Sequence, residues 1–445
     1  MYLHLSEPSR CQLVKALFTC TYKSKIASIH CWLFCFCLAE SIQGQALSDS
    51  VLREKFSAFR LNGYGAMHYY HFDWQTDSSR RDAIDQERFI LDMGYRWTPR
   101  IGFNAEVEFE HGGTGGAVEF DRFEEFGEFE FDISKGGEVI VEQMNLELGL
   151  YKDIKLKVGR VKVPFGMMFK RDEPTDYLTC WNSEMETQIL PENWTDNGFL
   201  VSGSSGKTHK LNYYLGFVNG LDGSAFNSAN WIKRGNQRRF ETVNAENFAL
   251  SARLDYSGEN KWLIGFSIYG CNTTDNRPKP DLRLSTPLFL SEGHFQMKMD
   301  PVRVAAMVLY GTLDNSEALT NQNRNLSNNL NVKRTPVGSE ALGAFAELEL
   351  VIFGTTGFLK NKNESELLFY SRYDYYDTMH KTQGLVFNNP RWERQSFSTG
   401  LVYKIIRKVH LKTQFTLRKV GAPAPTSIRG GRLEKTFAAG FAFEF

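Results

Sequence analysis

Beyond residue 46 the 445-residue chain has no run of about 18 apolar residues, so membrane-spanning helices are excluded from that part. It also lacks net charge: 52 Lys and Arg balance 52 Asp and Glu, so no global field draws nucleic acid or any other single class of partner. Cysteine is scarce there too. Only Cys180 and Cys271 follow residue 37, and one possible bridge is neither a disulfide framework nor a zinc site. A helical membrane protein would be far more apolar than a mean hydropathy of -0.37 allows.

The other five cysteines fall in a segment that reads as an export signal. Lys23 and Lys25 precede an apolar run from Ile26 to Ala39, and Gly44-Gln45-Ala46 supplies the small residues of a signal-peptidase site. Residues 1–46 are therefore expected to be a signal peptide and residues 47–445 the mature domain.

What the mature part does contain is period-two alternation. Phe437, Ala439, Phe441, Phe443 and Phe445 alternate with Thr436, Ala438, Gly440, Ala442 and Glu444, giving a strand with one apolar and one polar or small face. Phe89 to Trp97 and Ile101 to Phe109 repeat the pattern on either side of Thr98-Pro99-Arg100. Met144 to Leu150 and Ile154 to Val158 do so around Tyr151-Lys152-Asp153, in a register that sets Leu148 opposite Leu156 and Glu147 opposite Lys157. Connections alternate between such short turns and long stretches rich in Gly, Asn, Pro and charge, among them 111 to 138, 164 to 196 and 271 to 293. That rhythm predicts an all-β fold, an antiparallel transmembrane barrel of about 16 strands. Tyr69, Tyr70, Trp74, Trp97, Trp262, Tyr373, Tyr375 and Tyr376 stand near strand ends, where aromatic girdles are expected.

Three segments resemble the phosphate-selective porin O/P family: Phe109 to Gly116, Gly136 to Gln143, and Val158-Gly159-Arg160-Val161-Lys162-Val163-Pro164-Phe165-Gly166. The resemblance implies a porin of the Gram-negative outer membrane, with residues 164 to 196 folded into the pore as a long loop. It implies a homotrimer of 16-stranded barrels and a terminal phenylalanine, here Phe445, read by the barrel-assembly machinery. Apart from the resemblance, the basic loop Lys233-Arg234-Gly235-Asn236-Gln237-Arg238-Arg239 would gather anions at the entrance or bind anionic lipopolysaccharide, and the outer wall would meet outer-membrane lipid.

If the apolar faces meet lipid, the opposite faces line the lumen. Basic candidates there are Arg60, Arg88, Lys155, Lys157, Arg253, Lys412 and Arg418; acidic ones are Glu106, Glu108 and Glu147. A one-residue bulge at Gly159 would bring Arg160 and Lys162 onto the same face, whereas without it they point outward near the membrane edge and snorkel. Lys170, Arg171, Asp172 and Glu173 of the inserted loop would meet every permeant solute, or else lie on a solvated external loop. Mixed signs on facing walls suit passive diffusion of small hydrophilic solutes, with a leaning toward small anions such as phosphate.

Enzyme and metal chemistry find little support, and neither a catalytic residue, a metal nor a cofactor is expected. Gly112 to Gly116 has no following Lys-Ser/Thr and reads as a tight loop. His68 and His71 would fall on opposite faces of a strand. No Gly-x-Ser-x-Gly elbow occurs, although barrel phospholipases carry their serine on strands without one. An outer-membrane barrel enzyme and a loop-plugged structural or binding barrel are the alternatives to a channel.

Overall fold

The computed structural model describes residues 58–120, 131–151, 153–237, 242–259, 261–326, 335–360, 364–423, 427 and 430–445. The expected signal peptide, residues 121–130 of the stretch 111 to 138, and Arg238 and Arg239 of the basic loop lie outside the described residues.

The strands are β1 (Phe59–Trp74), β2 (Ala83–Thr98), β3 (Ile101–Phe120), β4 (Phe131–Tyr151), β5 (Ile154–Lys162), β6 (Thr195–Ser205), β7 (His209–Asn219), β8 (Phe248–Gly258), β9 (Trp262–Asn272), β10 (Pro287–Met299), β11 (Val302–Leu313), β12 (Glu340–Gly354), β13 (Leu359–Lys360), β14 (Glu366–Lys381), β15 (Glu393–Ile406), β16 (Val409–Val420) and β17 (Leu433–Glu444). Two-residue β13 is a side branch on β12. The other sixteen form one antiparallel ladder that closes on itself, since β1 pairs with both β2 and β17. Closure removes the edges that no lipid could hydrogen-bond.

The seam is built from the last residue. The Phe445 backbone N donates to the Gly63 carbonyl at 2.9 Å, and Gly63 N donates back at 3.3 Å. The Phe445 ring stacks at 6.4 Å on Phe443 and 6.3 Å on Phe89. It also leaves no room above Gly63, where a Cβ would stand 2.4 Å from the ring.

Alternation sorts the walls as the sequence predicts. Leu148 pairs with Leu156 and Glu147 with Lys157. Leu146, Leu254, Phe266, Leu401, Phe415 and Phe441 are among the many large apolar side chains exposed on the outside, more than the scattered apolar residues ordinary on a water-facing surface. This belt needs lipid tails, and a closed barrel wearing it belongs to the Gram-negative outer membrane. His68 is buried and His71 exposed, on opposite faces. Among the expected girdle members, however, Tyr70, Trp74 and Tyr376 face inward: Tyr376 donates to Glu184 and Trp74 Nε1 to Thr436. Their parity in the strand, not their place near its end, decides their side.

Three loop expectations are corrected. β3 and β4 run on through most of 111 to 138, so at about 3.3 Å per residue this hairpin stands well beyond the membrane. Gly112 (φ 81°) and Gly113 (φ 93°) form a bulge inside β3, where the ladder jumps from Glu110/Glu138 to Gly115/Gly137, and not a tight loop. β10 begins at Pro287, inside the stretch 271 to 293, because proline is tolerated at a strand's first residue.

Of the two alternatives at Gly159, the inserted residue is absent: β5 pairs with β4 and β6 straight through it. Gly159 instead takes φ 129°, and a Cβ there would lie 2.3 Å from the Met144 carbonyl oxygen. Gly159→Ala is expected to lose roughly 2 kcal/mol of barrel stability, read as a lower urea midpoint in detergent micelles; an unchanged midpoint would show that the strand relaxes around the methyl group.

Candidate functional site

Pro164 has no N–H to extend β5, and from Val163 the chain turns into the barrel. Gly166, at φ 75°, makes the first bend. A short helix, α1 (Glu184–Ile189), follows, its Glu186 N–H capped at 3.2 Å by the Ser183 hydroxyl. Glu186 folds back so that Oε1 accepts from Met167 N at 2.7 Å and Met168 N at 3.1 Å. Phe165, Met167, Met185, Ile189, Leu190 and Trp194 are buried and join wall residues Met307, Phe345 and Tyr269 in one apolar cluster. Gly343 is part of that fit, because a Cβ there would meet Met185 Cγ at 2.4 Å.

The wall holds this loop by its backbone. Lys412 Nζ donates to the carbonyls of Pro174, Tyr177 (2.6 Å) and Thr179 (2.9 Å), and neighbouring Gln414 accepts from Cys180 N at 2.7 Å. Arg372 reaches Thr179 Oγ1 at 2.8 Å and the Asn182 carbonyl at 3.1 Å. Arg88 donates to the Asp172 carbonyl at 3.0 Å, and Arg253 to that of Gly166. Charged side chains answer in the other direction: Lys170 pairs with Asp255 at 2.9 Å and Arg171 with Glu347 at 3.0 Å. The loop is therefore an internal crosspiece, and its charges are not those of a solvated external loop.

These anchors revise the lumenal assignments. Lys412 and Arg253 face inward yet are buried, with their donors engaged by the loop and by Asp255. Arg88 is buried against Glu108, whose carboxylate also accepts from Asn193. Arg418 is paired with Glu434 and Glu184. Arg160 is buried, and its carbonyl accepts from Asn145 at 3.0 Å. None of the five lines the open space at the short-turn end of the barrel. Alternation assigns a strand residue to a face, but it does not say whether another segment covers that face.

That space is a cavity of about 460 Å³ bounded by β1 to β5, the inserted loop and the end of β17. Its cations are Arg60, Arg96, Lys155, Lys157, Lys162 and Lys408; its carboxyls are those of Asp92, Glu106, Glu147, Glu173 and Glu444. Most are engaged. Arg60 pairs with Asp92 at 3.0 Å; Arg96 (2.8 Å) and Lys155 (3.0 Å) share Glu147; Lys162 pairs with Asp172 of the loop. Glu106 accepts from Tyr64 at 3.1 Å and from Gln143. Lys162 thus reaches the cavity, and Arg160 is buried, although no residue is inserted at Gly159; neither side chain points outward to snorkel, because the φ of 129° at Gly159 re-aims the strand. Lys157 and Lys408 have no carboxylate within ion-pairing distance among the described residues. Lys408 escapes a strand-based reading because it sits in the turn between β15 and β16, and Glu444 because it lies beside the terminal apolar row.

Glu173 faces these lysines from the loop. Burial, reinforced by Asp176, Glu444 and Asp172, pushes its carboxyl up to about 7. Burial and Asp172 likewise raise Asp176 to about 6. Both therefore change charge within the neutral range.

No family model matches the chain. An uncharacterized protein of Aquifex aeolicus (strain VF5) is 25% identical over 363 residues, spanning 80% of this chain and 74% of its own. Among solved structures, Salmonella typhi OmpF in complex with daunomycin covers 87% of this chain and 97% of its own, with TM-score 0.50 and 9% identity. The barrel is of the porin type. An anion-selective porin from Comamonas acidovorans (TM-score 0.49, 9% identity, 87% and 99% covered) and the outer-membrane channel DcaP of Acinetobacter baumannii (0.45, 10%, 87% and 97%) are further structures similar to it. At such identities the porin likeness is one of fold.

Replacing Lys412 by methionine leaves buried carbonyls without their donor and is expected to loosen the crosspiece by on the order of 3 kcal/mol. Limited proteolysis within residues 163–194 should become faster while the barrel keeps its β-sheet circular dichroism. Equal cleavage rates would show that the apolar cluster alone seats the loop.

Proposed function

We propose that this protein is a passive diffusion porin for small hydrophilic solutes, leaning weakly toward anions. The observation that carries the proposal is the pair Lys157 and Lys408: two ammonium groups lining a water-accessible cavity, with no carboxylate within ion-pairing distance among the described residues. An anion entering there gains two partners without breaking an existing ion pair. Phosphate fits this chemistry as one small oxyanion among several. The homotrimer and the recognition of Phe445 by the assembly machinery belong to the same proposal and rest on the family resemblance; the lipopolysaccharide contact rests on the basic loop at 233 to 239.

A second reading has its own observation. The crosspiece is held from several sides of the wall, through Lys412, Arg372, Arg88 and Arg253, which suits a barrel plugged by its loop and used for binding. An enzyme is a weaker proposal. Ser267, Glu292 and His294 do lie together, but Glu292 stands between the serine and the histidine, whose Nε2 faces Asp255 at 3.2 Å. Among the described residues no imidazole is placed to take the Ser267 proton.

Planar-bilayer recording separates these readings: a porin gives stepwise conductance, a plugged barrel none. Under a salt gradient Lys157→Glu is expected to shift the reversal potential toward cation preference; no shift would remove Lys157 from the path. The pH dependence has a definite sign. Glu173 and Asp176 are charged above about 7 and about 6 and neutral below, so lowering the pH from 8 to 5 removes negative charge and should raise the anion-to-cation permeability ratio. Glu173→Gln should flatten the upper part of that titration.

A further inference from the structure

Three charged side chains of the cavity at the short-turn end are left over once its ion pairs and hydrogen bonds are assigned, and they are of both signs. Lys157 stands on β5, Lys408 in the turn between β15 and β16, and Glu173 on the inserted loop. Among the described residues none of the three has a side-chain hydrogen-bond or ion-pair partner. Around them Asp92, Glu106, Glu147 and Lys162 are engaged, and Glu444 accepts from Thr175. The cavity at the long-loop rim, of about 440 Å³, offers no such set. Its rings belong to an aromatic row on β1, Tyr70, Phe72 and Trp74, which Trp181 of the inserted loop joins 5.7 Å from Tyr70. Arg80 covers Phe72 and Trp74, and Arg418 covers Trp74 as well. Asp73 is held by Lys435, Asp77 by Ser79 and Gln75 by the Leu433 N–H.

A simple anion in the short-turn cavity satisfies the two lysines but sets its charge against ionised Glu173, and a simple cation is opposed by the lysines. A solute that satisfies all three carries two acidic groups and one ammonium. We infer that the cavity prefers acidic amino acids, aspartate and glutamate, whose two carboxylates meet Lys157 and Lys408 and whose ammonium meets Glu173. The inference deepens the porin reading above and rests on its premise that solute reaches this cavity. A volume of about 460 Å³ is within the range of small-ligand sites. The three side chains sum to one positive charge and the amino acid to one negative charge. Each contact is a charge-assisted hydrogen bond, and no resident ion pair has to break to make it.

Glu173 gives the preference a sign in pH. The charged groups facing it are Asp172 and Asp176 of the loop, Glu444 of β17 and Lys162 of β5. Asp172 is paired with Lys162, and Asp176, pushed up to about 6, stays mostly ionised above pH 6.5. Glu173, pushed up to about 7, is therefore the group that changes between pH 8 and 6.5. Ionised, it holds an ammonium; protonated, it no longer repels a carboxylate. Acidification thus weakens an acidic amino acid and tightens succinate, which has the two carboxylates without the ammonium.

Calorimetric titration of the purified barrel in detergent with L-glutamate, L-aspartate, succinate and glycine tests this. At pH 8 at least one of the two acidic amino acids is expected to bind about tenfold more tightly than succinate, the effect of one charge-assisted hydrogen bond, and more tightly than glycine. From pH 8 to 6.5 its affinity should fall while that of succinate rises. Glu173→Gln, which leaves no partner unpaired, should remove both the advantage over succinate and its pH dependence. No binding of either amino acid, succinate binding at least as tightly at pH 8, or an advantage that survives in Glu173→Gln would overturn the inference. The readout is heat and not current, so a barrel that binds glutamate without stepwise conductance defeats the porin reading and leaves the site standing.

Discussion

A bilayer supplies no hydrogen bonds, so each backbone N–H and C=O within it must find a partner in the protein. Every main feature of this molecule answers that constraint. Sixteen strands satisfy one another around a ring, and the last pairing is made by the C-terminal residue against Gly63. The inserted loop has no ladder of its own, so its carbonyls must be met by side chains. Lys412, Arg372, Arg88 and Arg253 do this. Charges on the inner wall are thus divided between holding the loop and facing solute.

That division explains what the amino-acid sequence reveals. The row Phe437 to Phe445 and the pairing of Leu148 with Leu156 follow from a period of two and the length of a turn, both local properties. The class of fold, the side on which Lys157 stands and the inward course of the loop expected at 164 to 196, whose last two residues begin β6, are legible for the same reason or by family resemblance. Whether Lys412 meets water or a carbonyl depends on a segment more than 200 residues away, which no local pattern encodes. The same holds for Trp74: a ring near a strand end suggests a membrane girdle until its parity is counted from the closed seam.

The two cavities divide the inner space by chemistry as well as by position. At the short-turn end, cations and carboxyls alternate, and the net effect is set by the few groups without partners, with Glu173 poised to lose its proton near neutrality. At the long-loop rim, rings and planar polar groups replace the dense ionic pairing. The crosspiece touches the first through Glu173 and the aromatic row of β1 through Trp181.

The anchoring of the crosspiece also bears on the order of assembly. Its partners on β2, β8, β14 and β16 are scattered over most of the chain, and the contacts of Lys412 with Pro174, Tyr177 and Thr179 span more than 230 residues. Such contacts form late, because the intervening chain must be arranged before they can reward closure. The loop therefore settles only when the ring around it is nearly complete, and a seated loop is the molecule's own record that the barrel has finished folding.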